Sequence, residues 1–291
     1  MTKDEQWLLD EKYGGTATST FEADKERLAT GEPLGYIIGS QPFLGLKIHL
    51  DSHPLIPRPE TEWWTEQMLT EIGGALSETL GGGAAWQFWR RRAAAPKFAP
   101  PRVSATSGRA SRRVLRKGAS DFKVLDLCAG SGAIGCAALA KLPDARVYFG
   151  EIDPAHEATI RRNIRENGLD DSRASIGIGD LFEPFGDMTF DVIAANPPYV
   201  PAGRALPASV ADHEPALALY AGDDGLAVIR RIARELPGRL APGGIAWIEC
   251  DSAHAAAACA LFADQGLSTD LLPDQYGVPR IVRAEKRAGS R

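Results

Sequence analysis

From residue 122 onward, the chain alternates short apolar runs with longer segments of helical composition. The apolar runs are 122–127, 145–151, 173–178, 190–195 and 243–250, and the helical segments are about 132–142, 154–167, 223–237 and 252–265. This alternation is typical of a doubly wound parallel sheet with helices on both faces. Two further runs, 267–272 and 279–284, are joined by a connector too short for a parallel crossover, so we expect them to form an antiparallel pair.

The residues before this domain fall into segments of different composition. We expect a short N-terminal helical segment at 1–34, a linking β-hairpin and proline-rich segment at 35–59, a helix at 60–72, a basic low-complexity insertion at 73–119 and the large domain at 120–291. In the hairpin, Tyr36-Ile37-Ile38 and Leu46 to Leu50 are the two β-biased runs. In the helix, Trp64, Met68 and Ile72 are spaced four apart and predict one apolar face.

The insertion at 73–119 is rich in Gly, Ala, Ser, Pro and Arg and has no sustained apolar period. It holds ten basic residues and one acidic residue, although the whole chain has a net charge of −5. This composition predicts a flexible segment, either a basic arm that touches RNA or a ribosomal surface or, as we favour, a solvated loop without a role. The acidic remainder of the chain argues against nucleic acid as a partner elsewhere.

The overall composition is that of a folded, soluble protein. Of 291 residues, 44% are hydrophobic. No uncharged apolar run approaches the roughly 18 residues that a membrane span needs. The N-terminus lacks the apolar core of a signal peptide, so we expect an intracellular protein, cytoplasmic or mitochondrial, without a membrane partner. The four cysteines form no C-x-x-C pair and have no histidine at a zinc-ligand spacing, so we expect reduced thiols and no metal site.

A glycine-rich turn follows the first strand of the large domain. Residues Gly130 to Gly135 read G-x-G-x-x-G and open a helix. Such a turn lets the backbone approach a ligand closely and presents amide N–H groups to it. Glu151, at the end of the second strand, is placed to bind ribose hydroxyls. On this pattern alone, a dinucleotide is the usual interpretation.

An acidic residue just before the turn favours a different cofactor. Asp126 would repel a pyrophosphate but would suit the ammonium group of a methionine moiety, so S-adenosylmethionine fits better than NAD. Asp180, after the third strand, is placed to accept a hydrogen bond from the adenine amino group. Either aspartate alone could equally cap a turn, but all these residues fall at the carboxyl ends of strands, where open α/β sheets bind ligands. The predicted cofactor-binding residues are Asp126, Gly130, Gly132, Glu151, Asp180 and Asn196.

The fourth strand runs directly into the tetrapeptide Asn196-Pro197-Pro198-Tyr199. The prolines fix φ and lack N–H groups, so this backbone is stiff and its carbonyls can accept hydrogen bonds from outside the fold. The Asn196 side-chain oxygen and the Pro197 carbonyl together would receive a planar NH2 group, and Tyr199 would add a flat wall. Positioning then replaces a strong general base. We therefore predict Asn196, Pro197 and Tyr199 as catalytic residues.

At this point the sequence resembles a known family. The segment Leu55 to Glu62 reads Leu-Ile-Pro-Arg-Pro-Glu-Thr-Glu and follows Gly35 to Gly39; together with Asn-Pro-Pro-Tyr it is similar to the HemK-type protein-glutamine methyltransferases, also called PrmC. The resemblance covers about residues 31–72 and 121–285. It implies a class I S-adenosylmethionine-dependent methyltransferase fold, Rossmann-like with a mostly parallel seven-stranded sheet. It also implies, as substrate, the GGQ glutamine of a class I peptide chain release factor. The implied substrate-binding residues are Phe43, Arg58, Glu60, Thr61 and Pro198.

Three other functions compete with this interpretation. Asn-Pro-Pro-Tyr is shared with adenine-amino methyltransferases of DNA and RNA, but these need a target-recognition domain and none is visible in the sequence. A non-catalytic scaffold would not need Asp126, Glu151, Asn196 and Tyr199 together. A nicotinamide-dependent dehydrogenase is disfavoured by Asp126. The chain also departs from the family in its short N-terminal segment, in Asp251, where the family tends to have glycine, and in the insertion.

Overall fold

The structure, a computed structural model, describes residues 1–80 and 122–287, with the side chains of the first range described as far as residue 73. The N-terminal part contains α1 (Lys3–Tyr13), α2 (Ser19–Ala29), α3 (Leu34–Ile38), β1 (Ser40–Phe43), β2 (Leu46–His49) and α4 (Pro59–Leu80). The larger part contains β3 (Lys123–Leu127), α5 (Ala133–Lys141), β4 (Arg146–Glu151), α6 (Glu157–Glu166), β5 (Ala174–Ile178), β6 (Phe190–Ala195), α7 (Ala208–Ala211), α8 (Ala216–Leu219), α9 (Ala227–Arg239), β7 (Leu240–Glu249), α10 (Ala255–Ala263), β8 (Ser268–Pro273) and β9 (Pro279–Glu285).

Seven strands form one sheet in the order β5-β4-β3-β6-β7-β9-β8. The neighbours from β5 to β7 are parallel, whereas β9 is antiparallel to both β7 and β8. The chain builds outward from β3 in one direction and then, from β6, in the other, so the strand order reverses between these two strands. Ligands of open α/β sheets bind at such a reversal. The structure confirms the predicted Rossmann-like, mostly parallel seven-stranded sheet and its antiparallel final pair.

The central strand β6 shows why the sequence signal is so clear. All its residues are buried. Val192 and Ala194 belong to the apolar cluster on the face that carries α4, α5 and α6, and Ile193 and Ala195 belong to the cluster on the face that carries α9 and α10. A strand that is covered on both faces is apolar at successive positions instead of alternating. The predicted run at 190–195 is therefore confirmed as a strand with the same bounds.

The first half of the predicted hairpin is wrong. Tyr36-Ile37-Ile38 lies in the short helix α3, which ends where Gly39 adopts φ 83° and donates its N–H to the Gly35 carbonyl at 2.8 Å. Ile37 packs with Leu8 and Phe21 of α1 and α2 in a small apolar cluster, so tertiary packing overrides the β preference of the isoleucines. The hairpin strands are instead β1 and β2.

Helix α4 is longer than predicted. The expected apolar face is confirmed, because Trp64 and Met68 are 0% exposed and Ile72 is 5% exposed. The helix nevertheless begins at Pro59 and continues to Leu80, so its last residues overlap the segment predicted as an insertion from residue 73. The remainder of that predicted insertion, 81–119, lies outside the described residues.

The cysteines are all free: Cys136 and Cys250 are buried, and Cys128 and Cys259 are partly exposed. In residues 1–80 and 122–287, no group of His, Cys, Asp or Glu side chains is arranged to hold a metal ion. Across the same ranges, no helix has the length and apolar character that crossing a membrane requires.

Candidate active site

The carboxyl ends of β3, β4 and β6 open onto a cavity of about 200 Å³. Its walls include five of the residues predicted from the sequence: Gly130, Glu151, Asp180, Asn196 and Pro198. These residues come together because parallel strands present their carboxyl ends at one edge of the sheet. The walls also include side chains that the sequence did not predict: Cys128, Leu217, Tyr220 and Arg231. They lie in loops or in the middle of a helix, where no local pattern marks them.

The glycine-rich turn needs its glycines for two different reasons. Gly130 and Gly132 adopt φ values of 55° and 76°, a conformation that side chains disfavour. At Gly135, a Cβ atom would lie 2.2 Å from the ring of Phe149. The first two glycines therefore shape the turn, of which Gly130 lines the cavity, and the third lets α5 pack directly on β4.

Glu151 holds this turn in place and also lines the cavity. Its carboxylate oxygens accept the N–H of Gly130 at 2.7 Å and the N–H of Asp153 at 2.9 Å. The residue is 7% exposed. Each carboxylate oxygen has two lone pairs, so both retain acceptor capacity toward the cavity. The predicted contact of Glu151 with ribose hydroxyls stays a prediction.

Asp126 lies behind the turn and is not among the residues that line the cavity. It is 1% exposed, and its Oδ2 accepts the N–H of Gly135 at 2.8 Å. Its Oδ1 is buried and has no hydrogen-bond partner among the described residues. Burial raises the pKa of this carboxyl group well above its ordinary value, and the Gly135 N–H opposes that shift. The predicted contact of Asp126 with a cofactor ammonium stays a prediction.

Asp180 lines the cavity, but its carboxylate already has a partner. Arg231 of α9 donates to its Oδ2 at 2.6 Å, and both side chains are more than two-fifths exposed. Arg231 also lines the cavity. A ligand that approached Asp180 would therefore meet an ion pair that solvent can open. The predicted contact with an adenine amino group stays a prediction.

The Asn-Pro-Pro-Tyr turn carries an acceptor that the fold leaves unused. Asn196 donates from Nδ2 to the hydroxyl of Thr61 at 3.2 Å. Its Oδ1 is buried and has no hydrogen-bond partner among the described residues. Pro197 is buried and Pro198 is half-buried. Because buried polar atoms are normally paired, an unpaired carbonyl oxygen beside a cavity indicates a place for a donor from outside the fold.

Glu249, at the end of β7, joins this turn to helix α4. Its Oε2 accepts from the Thr61 hydroxyl at 2.6 Å and from the Trp64 indole N–H at 2.7 Å, and its Oε1 accepts from the Tyr199 hydroxyl at 3.0 Å. Burial raises the pKa of Glu249, and these donors act in the opposite direction. Burial likewise raises the pKa of the Tyr199 hydroxyl well above its ordinary value.

Two of the predicted substrate residues are buried and do not line the cavity. Thr61 is 4% exposed, and its hydroxyl is directed at Glu249. Phe43 is 1% exposed and packs within the apolar core. A substrate contact of either residue stays a prediction.

The remaining predicted substrate residues lie on the segment before α4. Arg58 is 33% exposed and pairs with the buried Glu214 at 2.5 Å, which fixes the segment against the loop after α7. Glu60 is half-buried. The neighbouring Glu62 accepts the N–H of Leu44 in the hairpin turn at 2.6 Å. For Arg58, Glu60 and Pro198, a substrate contact stays a prediction.

The chain is similar to several known methyltransferases. Residues 110–213 match the family model described as the methyltransferase small domain. A release factor glutamine methyltransferase of Geobacter sulfurreducens is 33% identical, over 88% of this chain and 74% of the relative. One of Deinococcus radiodurans is 30% identical, over 96% and 84%. A 4-amino-L-phenylalanine/4-methylamino-L-phenylalanine methyltransferase of Streptomyces pristinaespiralis is also 30% identical, over 89% and 74%. With this coverage and the cavity described above, the chain belongs to the family of release factor glutamine methyltransferases.

Proposed function

We propose that this chain transfers a methyl group from S-adenosylmethionine to the side-chain amide nitrogen of the GGQ glutamine of a class I peptide chain release factor. The observation that carries the proposal is the buried, unpaired Oδ1 of Asn196 beside the cavity. A glutamine amide has two N–H donors in one plane. One N–H would reach Oδ1, and the other would reach the carbonyl of Pro197.

An amide needs this kind of receptor because it is a poor nucleophile. Its nitrogen lone pair is delocalised into the carbonyl, so no side chain of ordinary basicity activates it. Two acceptors that hold both N–H bonds direct the face of the nitrogen toward the methyl donor, and this positioning lowers the barrier. The new N–C bond forms as the C–S bond breaks, and the nitrogen then loses one proton to water.

The residues around the cavity fit S-adenosylmethionine as the methyl donor. Glu151 retains acceptor capacity for ribose hydroxyls, and the unpaired Oδ1 of Asp126 is an acceptor suited to an ammonium group. Asp180 would receive the adenine amino group if its pairing with Arg231 opened. The bound cofactor supplies an electrophilic methyl group on a positively charged sulfur, and the Glu151 carboxylate in the cavity wall favours that charge.

The proposed protein substrate is supported by the names of the relatives from Geobacter sulfurreducens and Deinococcus radiodurans. The relative from Streptomyces pristinaespiralis is named for a free aromatic amino acid whose amino group is attached to a ring. Such a group presents N–H donors to the same kind of receptor. The receptor alone therefore does not choose between a protein and a small molecule, and the test has to include both.

The test incubates the purified chain with methyl-labelled S-adenosylmethionine and a class I release factor, and locates the label by mass spectrometry. We expect one methyl group on the GGQ glutamine, and strong loss when a neighbouring glycine is replaced by valine, because the glutamine must enter a narrow site. Parallel reactions contain 4-amino-L-phenylalanine or DNA. Label on either of these, with none on the glutamine, would overturn the proposal.

A further inference from the structure

We infer that Thr61 and Glu249 are positioning residues: together they fix which way the amide of Asn196 points, and so determine that an oxygen is offered to the substrate. This inference rests on the proposed function, because it assigns a purpose to the unpaired Oδ1 of Asn196. Neither residue needs to touch the substrate. Thr61 is 4% exposed and Glu249 is 1% exposed.

The direction of the hydrogen bonds begins at Trp64. An indole N–H can only donate, so Oε2 of Glu249, 2.7 Å from Trp64 Nε1, must be an acceptor. An ionised carboxylate only accepts, so the Thr61 hydroxyl, 2.6 Å from the same oxygen, gives its single proton to Glu249. Tyr199 donates to the other carboxylate oxygen at 3.0 Å.

The direction of the hydrogen bond between Thr61 and Asn196 follows from this. With its proton committed to Glu249, the Thr61 oxygen can only accept from the atom that faces it. That atom is a side-chain amide atom of Asn196, 3.2 Å away, and it must be the nitrogen. The Asn196 oxygen then lies on the opposite side of the amide.

The opposite orientation of the Asn196 amide would destroy the receptor. A rotation of 180° would place Oδ1 against the lone pairs of Thr61 and would place an NH2 group where the substrate N–H must bind. Two donors would then face each other. Side-chain amide orientation is otherwise weakly determined, because the two ends have nearly the same shape. The buried hydrogen bonds that run from Trp64 through Glu249 and Thr61 to Asn196 make one orientation of the amide lower in energy than the other.

A matched pair of threonines in α4 makes the inference testable. Thr61→Val keeps the shape of the side chain but removes the hydroxyl that faces Asn196. Thr61→Ser keeps the hydroxyl. Thr65→Val is the control, because Thr65 is also fully buried in α4 but donates to the backbone carbonyl of Thr61 and not to Glu249. All three variants are compared with wild type in thermal stability, cofactor affinity and turnover of the release factor.

We expect kcat of Thr61→Val to fall roughly 10- to 100-fold, the size of one misdirected buried hydrogen bond at the reacting group. The KM for the release factor and the Kd for S-adenosylmethionine should change by less than about threefold, since Thr61 does not line the cavity. Thr61→Ser should restore most of kcat. Thr65→Val should lose stability comparable to Thr61→Val but keep most of its turnover.

A second measurement does not depend on the reaction. In NMR spectra of the full chain, the side-chain NH2 signals of Asn196, assigned by their loss in Asn196→Ala, should show contacts to the methyl group of Thr61. These contacts should persist in Thr65→Val, and the NH2 signals should shift in Thr61→Val. Unshifted signals in Thr61→Val would refute the inference even if no substrate is methylated. Equal kcat losses in Thr61→Val and Thr65→Val would refute it while leaving the proposed function intact.

Discussion

Two buried carboxylates accept the same number of side-chain donors, yet their pKa values move in opposite directions. Asp24, in the N-terminal helices, accepts from Lys12 at 2.5 Å, Tyr13 at 2.7 Å and Arg27 at 2.7 Å. Burial raises its pKa, but these partners outweigh burial and the net pKa is lowered. At Glu249 the donors are uncharged, burial prevails, and the pKa is raised.

Asp24 with its three donors (the N-terminal cluster) and Glu249 with its three donors (the cluster around Glu249) therefore contribute differently to the protein. At Asp24 two of the three donors are cations, so ionisation of the carboxylate and folding favour each other. At Glu249 the ionised form is held without a directly bonded cation, which costs stability, because burying a charge is expensive when its partners are neutral. A buried charge that lowers stability is expected where its geometry serves the function of the protein. The N-terminal cluster should therefore affect folding, and the cluster around Glu249 should affect turnover.

The largest effect expected from this comparison is at the reacting group. Asn196→Ala should lower turnover by roughly 100- to 1000-fold, on the scale of losing one preorganised group in a catalytic site. It should leave cofactor affinity within a few-fold and thermal stability nearly unchanged. Calorimetry with S-adenosylmethionine beside a turnover assay measures both quantities. An active Asn196→Ala enzyme would contradict the proposed receptor.

The next effect concerns the cofactor. Glu151→Ala removes the acceptor that lines the cavity and also releases the N–H groups of Gly130 and Asp153. We expect S-adenosylmethionine binding to weaken by about 1–3 kcal/mol, the range for losing a charged hydrogen-bond acceptor. Saturable binding of NADH at micromolar concentration by the wild type would instead restore the dehydrogenase interpretation.

A smaller effect is expected in the N-terminal helices. Asp24→Asn should destabilise them by about 1–2 kcal/mol, because a buried carboxylate with two cationic donors is replaced by a neutral group. Hydrogen exchange of α1 and α2 measures this locally. Asp10→Asn is the control, since Asp10 lies on the exposed side of α1. Equal effects of the two substitutions would show that the cluster contributes nothing particular.

The smallest expected effect is on the pH dependence of stability. Asp24 has a lowered pKa, so its contribution is present above its unfolded-state pKa and is lost as pH falls through its folded-state pKa. Glu249 has a raised pKa, so its cost is absent below its unfolded-state pKa and is complete once pH has risen through its folded-state pKa. Urea unfolding between about pH 2 and pH 8 should show a smaller loss of stability toward low pH in Asp24→Asn and a smaller loss toward pH 8 in Glu249→Gln. Identical pH profiles for these variants and the wild type would contradict the comparison.

The sequence predicted those features that are determined by residues close together in the chain. The bounds of strand β6 and the position of the glycine-rich turn were predicted correctly, and Asn196 lines the cavity, because a period or a short motif marks each of them within a few residues. The helix α3 was missed because contacts with Leu8 and Phe21 determine it. The bonds from Thr61 and Trp64 to Glu249 join residues more than 180 positions apart, and no local pattern encodes such a meeting.

Gly225 adopts φ +74°, and a Cβ atom built on it would lie 2.4 Å from the carbonyl oxygen of Tyr199. Any substitution there must move the turn that carries Asn196, although Gly225 is neither a predicted catalytic residue nor a wall of the cavity. In a saturation-mutagenesis survey, position 225 should therefore tolerate as few residues as position 196. Positions 196 and 225 would then have the same substitution profile for different reasons. At position 196 the reason is the chemistry of the side chain, and at position 225 it is the lack of space for any side chain.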